Sequence, residues 1–269
     1  MHTTIRIGAL ISGGGTNLQA IIDACEQNRI AARVVFVGSD NPAARGLQRA
    51  GRHGIPSFVV DYGGIIRRYR RNPAEGIAPA DFDGEEMRHK QHLFGPGADD
   101  RQVEEFLATR AAAEAELLAH IAGYGIDLLV LAGFMRNLTP YFIDRFNTDP
   151  ARPRIMNIHP ALLPAFAGVD GYGDTFRYGC KVGGCTVHFI DYGEDSGPII
   201  GQKCFAIRED DTLDTIRRKG LELEWQLYPE CIQLFAEGRL HVVKMTHTLD
   251  NGRVLQRAVV KIAQAEAPQ

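Results

Sequence analysis

The segment Asn157-Ile158-His159-Pro160 carries two polar side chains that could stabilise a negative oxygen. Asn157 and His159 stand two residues apart at the end of a predicted strand, so both side chains point to the same side of the chain. An amide donates hydrogen bonds, and a histidine can donate or accept a proton near neutral pH. Together they would suit an oxyanion formed during group transfer. Taken alone, an Asn-x-His pair is more often structural.

A third polar group that could join this pair is Asp195, in the turn Asp195-Ser196-Gly197-Pro198 before a predicted strand. A carboxylate there could orient His159 and raise its proton affinity. It could also cap its own turn, as Asp commonly does, and the residues alone favour the capping role. A catalytic group of Asn157, His159 and Asp195 is therefore a hypothesis that requires all three side chains to share one cavity.

A glycine-rich turn, Ser12-Gly13-Gly14-Gly15-Thr16-Asn17, follows the first predicted strand and leads directly into a helical pattern. Successive glycines let the backbone approach a ligand, and the helix behind them directs free N–H groups and its positive dipole end outward. A phosphate would fit there. The turn is neither a GxGxxG dinucleotide motif nor a P-loop, because the GK[ST] element is missing. Phosphate binding and a plain strand-to-helix turn are therefore equally good interpretations.

The elements that would position these residues alternate between strands and helices at the start of the chain, which is typical of βαβ units and a mainly parallel sheet. We predict an α/β, Rossmann-like fold with helices on both faces of the sheet and an antiparallel hairpin in the C-terminal part. Strands are predicted at residues 5–11, 34–37, 55–60, 128–132 and 154–158, and the hairpin at 185–190 and 199–207. The long helices are predicted at residues 100–122 and 212–236.

Several segments interrupt this regular pattern. Residues 61–100 are rich in Gly, Pro and charge, so they form either an insertion with short elements of its own or a mobile flap. Asn41-Pro42 predicts the N-cap and first residue of a helix. Pro229 predicts a kink or a break in the last helix. The chain beyond Gly238 is interpreted as a short tail.

The composition indicates a protein that acts on small molecules. The chain has 269 residues, a formal net charge of −3 and a sequence pI near 6.3, so nothing attracts it to nucleic acid or an anionic membrane surface. No apolar stretch approaches the roughly 20 residues that span a bilayer, and no signal peptide is recognised. The five cysteines form no CxxC pair or zinc-type cluster, which indicates a reducing, cytoplasmic location and no metal site.

Four segments together resemble the phosphoribosylglycinamide formyltransferases, a folate-dependent family of purine synthesis. They are LISGGGTNLQAIIDAC (10–25), LLVLAGFMRNLTP (128–140), NIHPALLPAF (157–166) and TVHFIDYGEDSGPII (186–200). The resemblance implies formyl transfer from 10-formyltetrahydrofolate to the amine of glycinamide ribonucleotide. It also implies a phosphate-binding half at 1–150, carrying the insertion at about 61–100, and a folate-binding and catalytic half at 151–269, with one sheet shared between them.

The resemblance further implies roles for individual residues. Asn157 and protonated His159 would hold the oxyanion, and Asp195 would keep His159 charged. Gly15, Thr16 and Asn17 would meet the phosphate and nearby atoms of the amine substrate, and Glu224 would also contact that substrate. The folate pocket would be lined by Phe134, Met135, Arg136, Asn137, Leu138, Asp191, Gly193 and Glu194. The remaining histidines are interpreted as structural or surface residues, and among them His188 is the one that lies on a predicted strand near the pocket.

Departures from the family pattern leave the exact activity open. Residues 168–174 are acidic and glycine-rich where the family carries a His-containing stretch, so a formyltransferase for a different amine is also consistent with the sequence. The insertion carries Arg67, Arg68, Arg70 and Arg71, which could reach a substrate phosphate, although a solvated basic face is the commoner outcome. A formyltetrahydrofolate hydrolase and a catalytically silent folate-binding protein are two further possibilities. The oligomeric state stays open, with a homodimer as one option.

Overall fold

The computed structural model describes residues 4–73 and 76–264. The strands are Ile5–Ile11 (β1), Ala32–Ser39 (β2), Ser57–Val59 (β3), Leu128–Leu131 (β4), Ile155–His159 (β5), Val182–Phe189 (β6), Ile199–Ala206 (β7), Leu240–Thr248 (β8) and Val254–Ile262 (β9). The α-helices are Thr16–Glu26 (α1), Arg45–Arg52 (α2), Tyr62–Arg71 (α3), Gly84–Lys90 (α4), Asp100–Ile121 (α5), Pro140–Phe146 (α6), Gly171–Arg177 (α7) and Leu213–Ala236 (α8). Within these ranges, no helix has both the length and the apolar character needed to cross a membrane.

Seven strands form one sheet in the order β3-β2-β1-β4-β5-β6-β7. The pairs from β3 through β5 are parallel, whereas β6 pairs antiparallel with β5 and with β7. The predicted α/β fold with a C-terminal antiparallel hairpin is confirmed. The chain runs outward from β1 in both directions along the sheet, and ligands of such folds bind at the carboxyl ends of the strands near that point.

Both faces of the sheet are covered, because its central strands are apolar on both sides. Ile7, Ala9 and Ile11 of β1 pack into a core shared with α1 and α8. Leu10 points the other way, into a second core shared with α5 and α6. This alternation follows from the two-residue period of a strand and explains why β1 is a continuous apolar run.

The segment at 61–100 is an insertion with short elements of its own. The side chains of Asp61 and Asp83 cap α3 and α4 by accepting hydrogen bonds from the backbone N–H groups of Gly64 and Glu86. Met87 of α4 is buried in a small core with residues of α5 and α6, including Leu107 and Tyr141. The insertion is thereby packed onto the outer helices of the domain.

Two local predictions are wrong, and of the two alternatives at Pro229, a kink or a break, the break is excluded. Asn41 does not cap α2, which begins at Arg45; its side-chain oxygen accepts a 2.9 Å hydrogen bond from the Ala43 N–H and forms a turn. Pro229 does not divide α8, because buried residues on both sides of it, such as Tyr228 and Ile232, hold the helix against the sheet. The chain after Gly238 is no short tail but the antiparallel hairpin of β8 and β9.

Candidate active site

A cavity of about 490 Å³ lies at the carboxyl ends of β4 and β5. Its walls are the loop after β4, the end of β5, the turn between β6 and β7, the segment entering α7, and one face of α8. The three residues predicted to form a catalytic group, Asn157, His159 and Asp195, all line this cavity. The structure therefore brings together side chains that the sequence could only propose as neighbours.

His159 is held between two acceptors. Its Nδ1 lies 3.0 Å from Asp195 Oδ2, and its Nε2 lies 2.8 Å from the carbonyl oxygen of Phe166. The residue is 3% exposed, so neither ring nitrogen exchanges its partner freely with water. Because both partners are oxygens that only accept, the geometry fits a doubly protonated imidazolium with an N–H on each nitrogen.

The electrostatics agree with that protonation state. Burial by itself would lower the pKa of His159, but the hydrogen bond and charge of Asp195, with the Phe166 carbonyl, more than offset it and leave the pKa raised. Burial would raise the pKa of Asp195, yet the hydrogen bond and charge of His159, with the Gly168 N–H, hold it well below its usual range. Asp195 therefore acts as a fixed negative charge that stabilises the cation beside it.

His188 belongs to this network, although no local signal in the sequence points to it. It is fully buried on β6 and is the cross-strand partner of Asn157 on β5. Its Nδ1 lies 2.9 Å from the Phe189 carbonyl oxygen, and its Nε2 lies 3.3 Å from Asn157 Nδ2 and 3.6 Å from Asp195 Oδ1. The interpretation of His188 as merely structural missed this contact, because it depends on β6 pairing with β5.

On the α8 wall, Glu224 is 5% exposed and accepts two short hydrogen bonds. Asn17 Nδ2 donates to Oε2 and the Tyr172 hydroxyl donates to Oε1, each at 2.6 Å. Burial raises the pKa of Glu224, while these two donors and the charge of His159 act in the opposite direction. Of the residues predicted to contact the amine substrate, Asn17 and Glu224 line the cavity, whereas Gly15 and Thr16 are not part of its lining.

The glycine-rich turn has one position that only glycine can occupy. Gly15 precedes α1 with a φ of 69°, a left-handed conformation, and a Cβ there would stand 2.7 Å from Gly46 Cα. Gly13 and Gly14 have no neighbouring atom within 4 Å of such a Cβ. The turn is thus both a tight strand-to-helix junction at Gly15 and an open backbone surface before it.

Most residues predicted for the folate pocket lie on the cavity wall. Phe134, Met135, Arg136, Asn137 and Leu138 line it on the β4 side, and Gly193 and Glu194 on the other. Arg136 Nε donates a 2.5 Å hydrogen bond to Asp40 Oδ2, which fixes its guanidinium near the cavity. Asp191 is outside the lining, and its Oδ1 instead accepts hydrogen bonds from the Gly193 N–H and the Ser196 hydroxyl. Asp191 therefore shapes the turn that presents its neighbours.

The arginines of the insertion lie elsewhere. Arg67, Arg68, Arg70 and Arg71 lie on α3 and do not line the cavity. Arg70 Nε pairs with Glu105 at 2.6 Å, and Arg67 lies 3.6 Å from Asp61. This placement agrees with a solvated basic face.

Comparison with known proteins adds independent findings. The family profile described as formyl transferase matches residues 5–232. The chain is 32% identical to the phosphoribosylglycinamide formyltransferase of Haemophilus influenzae, over 94% of this chain and 97% of that protein. It is also 32% identical to the trifunctional purine biosynthetic protein adenosine-3 of Gallus gallus, over 88% of this chain and only 19% of that protein. The crystal structure of glycinamide ribonucleotide transformylase 1 from Symbiobacterium toebii is similar with a TM-score of 0.70 and 36% identity, covering 98% of this chain and 95% of that one.

Proposed function

The chain belongs to the formyl transferase family, and we propose that its cavity is where a formyl group passes from 10-formyltetrahydrofolate to the amine of glycinamide ribonucleotide. The protein is a folate-dependent formyltransferase of purine synthesis. The observation that carries the assignment of the cavity is the Asn157–His159–Asp195 arrangement, in which a cationic ring and an amide line one wall. Such a pair suits the stabilisation of a developing oxyanion.

The lining of the cavity supports two adjoining subsites. The mixed apolar and polar wall from Phe134 to Leu138, with Gly193 and Glu194, fits a flat ring system with hydrogen-bonding edges, as a folate has. Asn17 and Glu224, on the α8 side, would take the amine substrate. His159 and Asn157 line the same cavity and would act where the formyl carbon and the amine meet.

Each residue of the catalytic group has a separate part in the chemistry. The substrate amine attacks the formyl carbon of the folate and forms a new C–N bond, which leaves negative charge on the formyl oxygen. Collapse of this intermediate breaks the bond between the formyl carbon and the folate N10, which leaves with a proton while the amine loses one. In the His188 tautomer whose Nδ1–H donates to the Phe189 carbonyl, Nε2 accepts one amide N–H of Asn157, and the second N–H is free to donate to the formyl oxygen. His159 donates the other hydrogen bond from its charged ring. Asp195 keeps the ring charged and accepts from Nδ1, and it helps move protons through water.

For His159 to reach the substrate, Nε2 must exchange its present acceptor. That acceptor is the Phe166 carbonyl, and Phe166 has a φ of 54°, a conformation that costs a non-glycine residue about 1 kcal/mol. We infer that the formyl oxygen takes the place of this carbonyl and that the segment around Phe166 yields when folate binds.

The test is turnover in Asn157→Ala and His159→Ala, measured as tetrahydrofolate release with glycinamide ribonucleotide. Loss of one oxyanion donor should lower kcat by roughly 10²- to 10³-fold, while circular dichroism should show that the variants remain folded. His241→Ala, an exposed histidine on β8, is the matched control and should have normal turnover. Near-normal kcat in both cavity variants would refute these roles.

The same assay separates the competing activities. Release of tetrahydrofolate without any amine would indicate a hydrolase. Faster release with a different amine would identify that amine, and not glycinamide ribonucleotide, as the substrate. The segment at 168–174 keeps a different amine relevant, because Tyr172 from this departing stretch contacts Glu224 directly. A cytoplasmic location and a homodimer stay predictions, which cell fractionation and light scattering would test.

A further inference from the structure

Tyr172 lies in the stretch that departs from the family pattern, and its phenol is buried against the carboxylate on the α8 wall. The residue is 6% exposed, and its hydroxyl donates to Glu224 Oε1 at 2.6 Å. Asn17 Nδ2 donates to Oε2 at the same distance. A carboxylate oxygen can accept two hydrogen bonds, so each oxygen of Glu224 has one protein donor and keeps one acceptor position.

Helix α8 is shaped to admit the Tyr172 ring. Gly220 lies one turn before Glu224 on the same face of the helix. A Cβ at Gly220 would stand 2.1 Å from Tyr172 Cζ and 2.3 Å from its hydroxyl oxygen, which no real side chain tolerates. Glycine inside a helix is less favourable than alanine. Here it opens the slot through which the hydroxyl reaches Glu224.

The other end of Tyr172 is fixed to the catalytic strand. A Cβ on the preceding residue, Gly171, would lie 2.6 Å from the Pro160 carbonyl oxygen, so the start of α7 is pressed against the residue that follows His159. Tyr172 therefore spans the distance between the end of β5 and the α8 wall. Its position is set by backbone contacts on one side and by the glycine slot on the other.

A further acceptor lies beside this pair. Asn17 is 8% exposed and lines the cavity, and its Oδ1 has no hydrogen-bond partner among the residues that the structure describes. The orientation of the amide follows from Nδ2 donating to the Glu224 carboxylate. A buried acceptor left unpaired is unfavourable, and a ligand N–H or O–H donor would remove that cost.

We propose that Tyr172 is a positioning residue for the amine substrate: it fixes Glu224 so that the carboxylate and Asn17 Oδ1 together accept hydrogen bonds from the N–H and O–H groups of that substrate. The inference rests on the function proposed above. Tyr172 acts through Glu224 and is not among the residues proposed to bind the folate. It therefore sets the affinity for the amine substrate and not the rate of the chemical step.

The experiment compares Tyr172→Phe with the wild type, by calorimetric binding of glycinamide ribonucleotide and by steady-state kinetics. Without the hydroxyl, Glu224 loses a charge-assisted donor and its fixed orientation, so Kd and KM for glycinamide ribonucleotide should rise about tenfold. The kcat and the KM for folate should stay within about twofold of the wild type. Because the ring is retained, the melting temperature should change little.

Two further variants sharpen the result. Gly220→Ala should displace the ring from its slot and raise the same Kd by a similar factor, although it changes neither Tyr172 nor Glu224. Tyr178→Phe is the matched control: it makes the same chemical change at the end of α7, where the side chain is 81% exposed, and binding should be unaltered.

The possible results separate the inference from the proposed function. A wild-type Kd in Tyr172→Phe overturns the inference while leaving the proposed function intact. A lower kcat with unchanged KM also overturns it, because it would assign the hydroxyl to the chemical step. If the wild type releases no tetrahydrofolate with glycinamide ribonucleotide, the proposed function fails first and the inference with it.

Discussion

Two glutamates, Glu114 on α5 and Glu224 on α8, are withdrawn from solvent to a similar degree, yet only one of them faces the cavity. Glu114 is 0% exposed and Glu224 is 5% exposed. Burial raises the pKa of both carboxyls, that of Glu114 to about 8. Burial and a shifted pKa therefore do not separate a functional carboxylate from a structural one in this protein.

The donors around each carboxylate do separate them. Both oxygens of Glu114 accept from one residue, Thr139, through its backbone N–H at 2.7 Å and its hydroxyl at 2.5 Å. Thr139 is also the N-cap of α6, so Glu114 ties α5 to the start of its neighbour. Glu224 instead accepts from Asn17 on α1 and Tyr172 on α7, and the residue lines the cavity with acceptor positions to spare. A functional carboxylate is therefore recognised here by free acceptor positions on a side chain that lines the cavity.

The largest effect should come from removing the cavity carboxylate. Glu224→Ala should lower kcat/KM for glycinamide ribonucleotide by roughly 10³-fold, because up to two hydrogen bonds to a charged acceptor, each about 1.5–3 kcal/mol, would be lost. The free energy of unfolding should change little, since a costly buried charge disappears with them. Steady-state kinetics and urea unfolding measure the two effects. Glu222→Ala, exposed on the same helix, should be normal in both. Retained activity would show that Glu224, like Glu114, has only a structural role.

The sequence could propose part of this site and not the rest. Asn157 and His159 follow from a strand end and a two-residue spacing, both of which are local signals. The pairing of Asn17 with Glu224 joins residues 207 positions apart, so only the resemblance to a family could suggest that both meet the substrate. His188 and Tyr172 escape prediction, because their contacts depend on the pairing of β6 with β5 and on a slot at Gly220.

The fold shows the same division between local and non-local information. β1 is predicted residue for residue, because a strand buried on both faces must be continuously apolar and the glycine-rich turn marks its end. The hairpin of β8 and β9 is missed, since its strands are largely exposed and carry a weak apolar signal. The dipeptide Asn251-Gly252 between those strands is the turn signal that could have revealed it.

The second effect concerns the pH dependence of stability at the structural carboxylate. The pKa of Glu114 in the folded protein is about 8, above the usual glutamate value of 4.5. The protonated carboxyl therefore makes its full contribution to the free energy of unfolding below the unfolded-state pKa, and this contribution is lost as the pH rises through the folded-state pKa. Between pH 5 and pH 7.5, the wild type should lose about 2–3 kcal/mol of unfolding free energy relative to Glu114→Gln, which does not titrate. Urea unfolding at each pH measures this.

The matched control for that experiment is Glu116→Gln, exposed on the same helix, which should follow the wild-type pH profile. Parallel profiles for the wild type and Glu114→Gln would mean that Glu114 is ionised throughout. Glu114 would then be a charged carboxylate, and the two glutamates would differ only in that Glu224 lines the cavity and Glu114 does not.

The smallest effect is expected at Tyr62, a buried tyrosine that interacts electrostatically with Glu114. Tyr62 is 1% exposed, with the guanidinium groups of Arg110 and Arg136 5.4 Å and 5.6 Å from its ring centre. Its hydroxyl has no hydrogen-bond partner among the described residues, and burial raises its pKa well above the usual value. Tyr62→Phe should therefore leave the unfolding free energy unchanged or raise it by up to about 1 kcal/mol. Tyr172→Phe makes the identical change on a ring whose hydroxyl donates to a cavity carboxylate and should weaken substrate binding. Tyr62→Phe should leave substrate binding unaltered. If urea unfolding instead shows that Tyr62→Phe loses more than about 1 kcal/mol of unfolding free energy, the Tyr62 hydroxyl has a partner in solution and the two buried tyrosines are alike.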